Sequence, residues 1–155
     1  YHSVVHDLEG GIPPKVDEDM IRARWNFISA LYDKKLIKAS HDVNKGGFIV
    51  SIAEMCFKNK LGSDLDLSSY NNNGLRDDEL LFSETVGRFI IETQPTSLNE
   101  IKLLATEFKV KVTKLGVIIN QPKILIKGLE NQEISLDINK LKDLYDSTIP
   151  DLMEI

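Results

Sequence analysis

The residues best suited to chemistry lie where a short strand is expected to run into a helix. There Asp42 is followed by Asn44, Lys45 and the pair Gly46-Gly47. Glycines let a backbone approach a ligand closely, and the N–H groups at a helix N-terminus point towards an anion. Lys45 adds a positive charge, and the Asp42 carboxylate has the chemistry of a Mg²⁺ ligand beside bound phosphate. The segment therefore predicts a phosphate or nucleotide site, and the alternative is a tight glycine turn in which Asn44 caps the helix.

A second polar cluster precedes the strongest strand pattern of the chain and consists of Ser83, Glu84, Thr85 and Arg88. Hydroxyl and carboxylate groups bind hydroxyls, and a guanidinium offers a planar fork of donors to phosphate. This cluster predicts a second part of the binding site. The simpler interpretation is a surface ion pair between Glu84 and Arg88, which contributes little to stability.

The remaining reactive side chains have structural explanations. His2 and His6 fall in a turn-rich leading segment, and His41 is expected to be a hydrogen-bonded residue of a strand. Cys56 lies on the apolar stripe of a helix, which predicts a small buried hydrophobe rather than a nucleophile. Trp25 is expected in the core. No Ser-His-Asp or Cys-His arrangement has a recognisable spacing, so no catalytic residue is predicted.

Composition narrows the class of protein. The chain has 155 residues, of which 42% are hydrophobic and 28% charged, as in one globular domain. A single cysteine excludes an internal disulfide framework and a cysteine-based zinc site. The net charge of −5 does not favour nucleic acid, and no apolar run approaches the length of a membrane span. We expect a cytoplasmic domain with no nucleic-acid or membrane partner.

Hydrophobic periodicity and turn residues predict the elements that position these side chains. Helices are predicted over residues 17–33, 48–58, 97–108 and 137–149, and strands over 36–43, 61–67, 87–93, 110–119 and 123–126. Several connections are too short for parallel crossovers. The predicted fold is therefore α+β, with a mixed, mostly antiparallel sheet covered by helices. Residues 1–16 are interpreted as a linker from an upstream domain, and residues 17–155 as a single domain.

Local patterns add detail to this prediction. The first helix is expected to bury a stripe that includes Trp25 and Tyr32. Ser97 is predicted to cap its helix through an S-x-x-E capping box, and residues 120–122 to close a hairpin. The last helix is expected to start with Asp137 as its N-cap and to end before Pro150.

Four segments together resemble the C-terminal domain of the aminoimidazole ribonucleotide synthetase superfamily. They are HDLEGGIPPKVD (6–17), ASHDVNKGGFIVSIAEM (39–55), LGSDLDL (61–67) and LFSETVGRFIIE (81–92). More narrowly, they are similar to the last domain of the phosphoribosylformylglycinamidine synthase family. The resemblance extends from about residue 6 to about residue 126, and the order and spacing of the segments agree throughout.

The resemblance implies part of an ATP- and Mg²⁺-dependent, glutamine-dependent C–N ligase of purine biosynthesis. Such an enzyme converts formylglycinamide ribonucleotide to the amidine. Its implied partners are upstream synthetase domains of the same chain, a glutaminase subunit or domain, and a small subunit. The Gly-Arg ending at Arg88 favours the second, auxiliary copy of the domain, which would be inactive alone. In the first copy the counterpart of Asp42 is associated with Mg²⁺, and the counterpart of residues 84–86 with the ribonucleotide.

Two departures from the family pattern bear on the site. Asn44-Lys45 stands where Ser-Asp is usual, and Thr85-Val86 where Ser-Gln is common. The loss of an acidic group should weaken a metal site while the loop keeps its attraction for phosphate. We therefore expect a structural or auxiliary nucleotide-binding domain. The alternatives are another enzyme of the superfamily, such as aminoimidazole ribonucleotide synthetase, selenophosphate synthetase or thiamine-phosphate kinase, and a non-catalytic anion-binding or assembly module.

Overall fold

The computed structural model describes residues 2–9, 15–68, 70, 74–128 and 132–153. The chain divides into two compact units, one formed by residues 1–51 and 81–112 and the other by residues 52–80 and 113–155. The helices are α1 (His2–His6), α2 (Glu18–Asp33), α3 (Gly47–Phe57), α4 (Asp77–Phe82), α5 (Leu98–Glu107) and α6 (Ile138–Met153), and a 3-10 turn covers Pro95–Ser97. The strands are β1 (Ala39–Asp42), β2 (Gly62–Asp66), β3 (Phe89–Glu92), β4 (Gly116–Ile119), β5 (Lys123–Lys127) and β6 (Glu133–Asp137).

The strands form one small sheet in each unit. In the first unit β1 pairs antiparallel with β3, so that Asp42 lies opposite Phe89. In the second unit the strand order is β4-β2-β5-β6, in which only the β2–β5 pairing is parallel. The predicted α+β class with mixed, mostly antiparallel pairing is confirmed, and the strands are distributed over two sheets.

Helices α2 and α5 enclose the core of the first unit. Asp17 caps α2 by accepting a hydrogen bond of 2.9 Å from the Met20 N–H, and the negative charges of the first turn suit the positive end of the helix. The two helices bury apolar side chains against each other, and Ile91 of β3 packs on the same cluster. The cluster consists of Phe27, Leu31, Leu36, Ile101, Leu104 and Ala105. Since β3 packs on this core through Ile91 and β1 pairs with β3, the core supports the loops at the ends of both strands.

The prediction of which face of α2 is buried was partly wrong. Trp25 is 63% exposed and Tyr32 is 75% exposed, whereas Phe27 and Leu31 are buried. Helix α2 carries two apolar stripes, and periodicity alone does not choose between them. The choice is made by packing, because α5 presents its own buried side chains to the stripe that contains Phe27 and Leu31.

The predicted hairpin between residues 110–119 and 123–126 was wrong. Strands β4 and β5 lie on opposite sides of β2, which is inserted between them. The connection between them therefore crosses the end of β2 at Gly62. A Cβ built on Gly62 would lie 2.2 Å from the Gln121 carbonyl oxygen and 2.1 Å from that of Lys123. Glycine is thus required at the crossing, and β6 completes the sheet at a place where no strand was predicted.

Two predicted helix ends also differ from the structure. Ser97 makes no capping hydrogen bond, because it has helical dihedral angles at the end of the 3-10 turn, whereas a cap needs an extended residue. Pro150 lies inside α6 rather than after it. It removes one N–H donor near the end of an exposed helix, which the helix tolerates. Asp137 does cap α6, accepting from the Lys140 N–H at 3.1 Å.

The predicted linker contains the short helix α1, and its Gly10-Gly11 and Pro13-Pro14 pairs lie outside the described residues. The boundaries of linker and domain at residues 16 and 17 remain predictions. Within the described part of the chain, no helix combines the length and apolar character that crossing a bilayer requires.

Candidate functional site

An open groove of about 680 Å³ in the first unit contains most of the side chains that were expected to carry chemistry. Asp42, Asn44 and Lys45 line it from the end of β1, and Glu84 and Arg88 line it from the loop before β3. Its apolar wall is formed by Trp25, Ile28, Val86 and Phe89. The groove therefore combines both polar clusters with a hydrophobic surface.

Strand pairing brings the two polar segments together. Asp42 is the last residue of β1 and Phe89 the first of β3, and these two residues are register partners. Next to this pair, where Val43 follows Asp42 and Arg88 precedes Phe89, the Val43 N–H donates to the Arg88 carbonyl oxygen at 2.9 Å. The loop that follows β1 and the loop that precedes β3 must therefore lie side by side, although they are about 40 residues apart in sequence.

The glycine pair forms a turn into α3. Gly46 and Gly47 have φ angles of +80° and +73°, which favour glycine. The Gly47 N–H donates to the Asn44 carbonyl oxygen at 2.9 Å, which closes the turn. The buried Ser51 hydroxyl then bonds back to the carbonyl oxygens of Asp42 and Gly47 at 3.2 and 3.0 Å. Local hydrogen bonding thus accounts for much of this segment without a ligand.

Two carboxylates of the groove are held by neighbouring donors. The Gly46 N–H donates to Glu84 Oε1 at 2.8 Å, which joins the glycine turn to the second cluster. The Asn44 side-chain amide donates to Asp42 Oδ2 at 3.0 Å. The Asn44 side chain therefore contacts Asp42, while the main-chain carbonyl oxygen of Asn44 accepts the hydrogen bond that closes the turn.

Arg88 organises the second cluster. Its guanidinium donates to the Ser83 carbonyl oxygen, to Ser83 Oγ at 2.8 Å and to the Thr85 carbonyl oxygen at 3.3 Å. Ser83 Oγ and Thr85 Oγ1 lie 3.5 Å apart. The predicted residues Ser83 and Thr85 are thus gathered around Arg88, on either side of Glu84. The Arg88 guanidinium, which was predicted to bind a phosphate, donates these hydrogen bonds to the protein's own loop.

Asp42 was the predicted metal ligand. Its side chain is 62% exposed, and its Oδ1 lies 3.8 Å from Nδ1 of His41. That nitrogen also lies 2.6 Å from the Asp42 carbonyl oxygen. Among the residues that the structure describes, no group of three or more His, Cys, Asp or Glu side chains converges as a metal site would need. One accessible carboxylate suits a Mg²⁺ ion that phosphate oxygens and water mostly hold.

Trp25 is part of the site, although its spacing on α2 had predicted a position in the core. This side chain lies on the exposed stripe of α2 and lines the groove, together with Ile28. The signal was present, because α2 has more apolar positions than one buried face requires. An aromatic ring beside polar groups is a frequent feature of ligand pockets.

Comparison with known proteins identifies the family. The profile of AIR synthase related protein, C-terminal domain, matches residues 1–127. The chain is 33% identical over 157 residues to phosphoribosylformylglycinamidine synthase subunit PurL of Methanococcus aeolicus. It is 32% identical over 155 residues to the same subunit of Methanocaldococcus jannaschii. Each alignment covers 99% of this chain and 20% of the relative, so the chain spans about a fifth of the length of these proteins.

Solved structures show the same fold. Thermotoga maritima PurL complexed with FGAR matches with a TM-score of 0.71 at 17% identity, over 78% of this chain and 20% of that chain. Its complex with ATP gives 0.69 at 17% identity, over 76% and 21%. The structure of PurLQS from T. maritima gives 0.72 at 16% identity, over 88% and 23%. Because the family profile covers most of the sequence and the fold agrees, this chain belongs to the family of AIR synthase related protein C-terminal domains.

Proposed function

We propose that this chain is the terminal domain of a glutamine-dependent ligase that converts formylglycinamide ribonucleotide to formylglycinamidine ribonucleotide, using ATP. The observation that carries the proposal is 33% identity to a PurL subunit across 99% of the chain. Within that enzyme the domain has a structural role and offers an auxiliary nucleotide or phosphate site. Another superfamily activity and a non-catalytic module remain the alternatives that experiment must separate from it.

The groove is the proposed auxiliary site. Lys45 is exposed at its edge and supplies a positive charge for a phosphate, while Asn44 offers amide groups. Trp25 and Phe89 provide an apolar wall suited to a planar ring. The glycine turn at residues 46–47 and the loop at residues 83–88 shape the opposite side. T. maritima PurL has been solved in complex with FGAR and with ATP, which makes these two compounds the first ligands to test.

Mg²⁺ would enter with the nucleotide. Asp42 is the residue that would hold it, through a carboxylate that is accessible and already accepts one amide hydrogen bond. Bound Mg²⁺ would neutralise phosphate charge. Lys45, in place of the usual family acid, keeps the local charge favourable for the phosphate itself and unfavourable for a second metal ligand.

The proposed partners follow from the length of the relatives. A chain that covers 20% of a PurL subunit would be joined to upstream synthetase domains. The structure of PurLQS from T. maritima supports a glutaminase and a small subunit as further partners. We propose that the assembly acts in the cytoplasm, where it needs neither nucleic acid nor a membrane.

The activity is tested on the complete polypeptide that contains this chain. An antibody to the chain should detect a native protein several times larger than 17.5 kDa. The purified protein should consume ATP only when formylglycinamide ribonucleotide and a nitrogen donor are both present. ATP consumption with formylglycinamidine ribonucleotide instead would identify the aminoimidazole ribonucleotide synthetase reaction. A native band at the mass of the chain itself would support a free-standing module.

Ligand binding by the groove is tested separately on the 155-residue chain. Trp25 is the single tryptophan and lines the groove, so its fluorescence reports on occupancy there. Mg²⁺-ATP or FGAR should change the emission with saturation. Asp42→Asn should weaken the Mg²⁺-ATP response more than the response to FGAR, whereas Glu107→Gln, a charge change on α5, should alter neither. A flat titration with both ligands would leave the domain with a structural role.

A further inference from the structure

Glu84 accepts a hydrogen bond from the Gly46 N–H, the donor in the glycine turn that an anion would otherwise bind. Its Oε1 accepts from the Gly46 N–H at 2.8 Å, a distance typical of a charge-assisted hydrogen bond. Gly46 has a positive φ, and turns of this kind present backbone N–H groups to anions. A carboxylate of the same chain therefore lies where the sequence pattern predicted a bound phosphate.

The position of Glu84 is maintained by the loop around it. Arg88 binds both neighbours of Glu84, through the Ser83 hydroxyl at 2.8 Å and the Thr85 carbonyl oxygen at 3.3 Å. Further along the loop, the Gly87 carbonyl oxygen accepts from the Arg24 guanidinium at 3.0 Å. Glu84 itself is exposed, and these bonds hold the backbone of its loop beside the glycine turn. The fold thus places the Glu84 backbone within reach of Gly46, and the hydrogen bond to the Gly46 N–H holds the Glu84 carboxylate there.

Charge gives this contact a consequence for ligands. A phosphate that reached Gly46 would have to displace Glu84 or lie beside its negative charge, and like charges at hydrogen-bond distance repel each other strongly. Asp42, which also lines the groove, adds a second negative charge. A ligand group that meets Glu84 must instead be a neutral or positively charged hydrogen-bond donor.

We propose that Glu84 is a specificity-determining residue that excludes phosphate from the Gly46 N–H, so that a nucleotide's phosphate must lie towards Lys45. This inference rests on the proposed function of the groove and refines it. Lys45 is exposed on the same loop and lines the groove. The turn at Gly46 is then a wall of the site and not its phosphate cradle.

The test uses inorganic phosphate and the amide resonance of Gly46 in the 155-residue chain. In the wild-type chain this resonance should not respond to phosphate, because Glu84 already holds the N–H. Glu84→Ala uncovers the N–H and removes the charge, so a saturable shift should develop at concentrations at least about tenfold lower than any wild-type response. Glu84→Gln removes the charge but keeps an acceptor oxygen, and should give an intermediate response.

Two control variants separate charge from other effects. Glu84→Asp retains the negative charge and should remain unresponsive to phosphate. Glu100→Gln makes the same charge change on α5, away from the groove, and should behave like the wild-type chain. Amide resonances of the α2–α5 core report whether each variant is folded.

The inference is overturned if the wild-type Gly46 resonance saturates with phosphate as readily as that of Glu84→Ala. It is equally overturned if neither Glu84→Ala nor Glu84→Gln gains a response while the core resonances remain unchanged. Failure of the wild-type chain to bind Mg²⁺-ATP or FGAR would count against the nucleotide site instead. The two failures are distinguishable, because the phosphate response of the variants does not require nucleotide binding.

Discussion

Gly47 lies directly against the backbone of Phe82, at the end of α4. A Cβ built on Gly47 would be 2.5 Å from the Phe82 carbonyl carbon and 2.7 Å from its Cα atom. Close packing between the glycine turn and this backbone therefore explains the second glycine of the pair. It also holds the start of α3 next to the loop that carries Glu84.

The contact between Gly47 and the Phe82 backbone predicts that a methyl group added at Gly47 strongly lowers the free energy of unfolding. Gly47→Ala combines a positive φ with a clash against backbone, and should lower the free energy of unfolding by about 3 kcal/mol. Gly74→Ala is the matched control, because Gly74 has φ +85° and a Cβ built there would meet no atom of the described residues within 4 Å. That variant should cost about 1 kcal/mol. Urea denaturation measures both, and equal losses would show that the contact with Phe82 is unimportant.

Two buried serines should respond oppositely to removal of the hydroxyl. Ser63 Oγ is buried without a hydrogen-bond partner among the described residues, so Ser63→Ala should be neutral or stabilise the chain by about 1 kcal/mol. Ser51 is equally buried but bonds to the carbonyl oxygens of Asp42 and Gly47. Ser51→Ala should therefore cost about 1 kcal/mol. Thermal or urea unfolding of the two variants decides the matter, and a clear loss in Ser63→Ala would reveal a partner for that hydroxyl.

Arg88 is expected to act through the loop it holds. Arg88→Lys replaces a planar fork by a single ammonium group, which cannot serve both Ser83 and Thr85 in the same way. The free energy of unfolding should fall by about 1–2 kcal/mol, and the Gly46 amide resonance should shift as Glu84 loses its position. Arg22→Lys, at an exposed position of α2, is the control and should change neither quantity. A Gly46 resonance that stays in place in Arg88→Lys would contradict this role.

Asp66 should make the second unit sensitive to acid. The side-chain hydrogen bond from Ser68, followed by that from the Ser68 N–H, lowers the pKa of Asp66 below its ordinary value of 3.8. A carboxyl group whose pKa is lower in the folded state than in the unfolded state stabilises the fold at pH values above its unfolded-state pKa. This contribution is lost as the pH falls below about 4 and through the folded-state pKa.

Ser68→Ala tests the assigned cause of the Asp66 shift. Loss of the hydroxyl should raise the pKa of Asp66 towards 3.8, as followed by NMR titration of its carboxyl group. Lys127→Gln should have a smaller effect, because the Lys127 ammonium lies 3.9 Å away and both groups are exposed to solvent. A larger change with Lys127→Gln than with Ser68→Ala would contradict the hydrogen-bond explanation.

Local features of this protein could be read from its sequence because they depend on neighbouring residues. The Asp137 cap, the helical spacing of α3 and the tight turn at Gly46-Gly47 all depend on interactions within a few residues. The order of the other helices and strands was predicted from hydrophobic periodicity, whereas α1, α4 and β6 were not predicted. The family was indicated by the resemblance of four sequence segments. Residue types also identified the two polar clusters that meet at the groove.

Tertiary structure decided which partner each residue has. Insertion of β2 between β4 and β5 replaced the predicted hairpin, and packing of α5 on one stripe of α2 left Trp25 for the groove. Arg88 bonds to its own loop, and Glu84 bonds to Gly46, 38 residues away. Periodicity specifies which side chains share a face, but only the packing of distant elements determines what covers that face and which donors remain for a ligand.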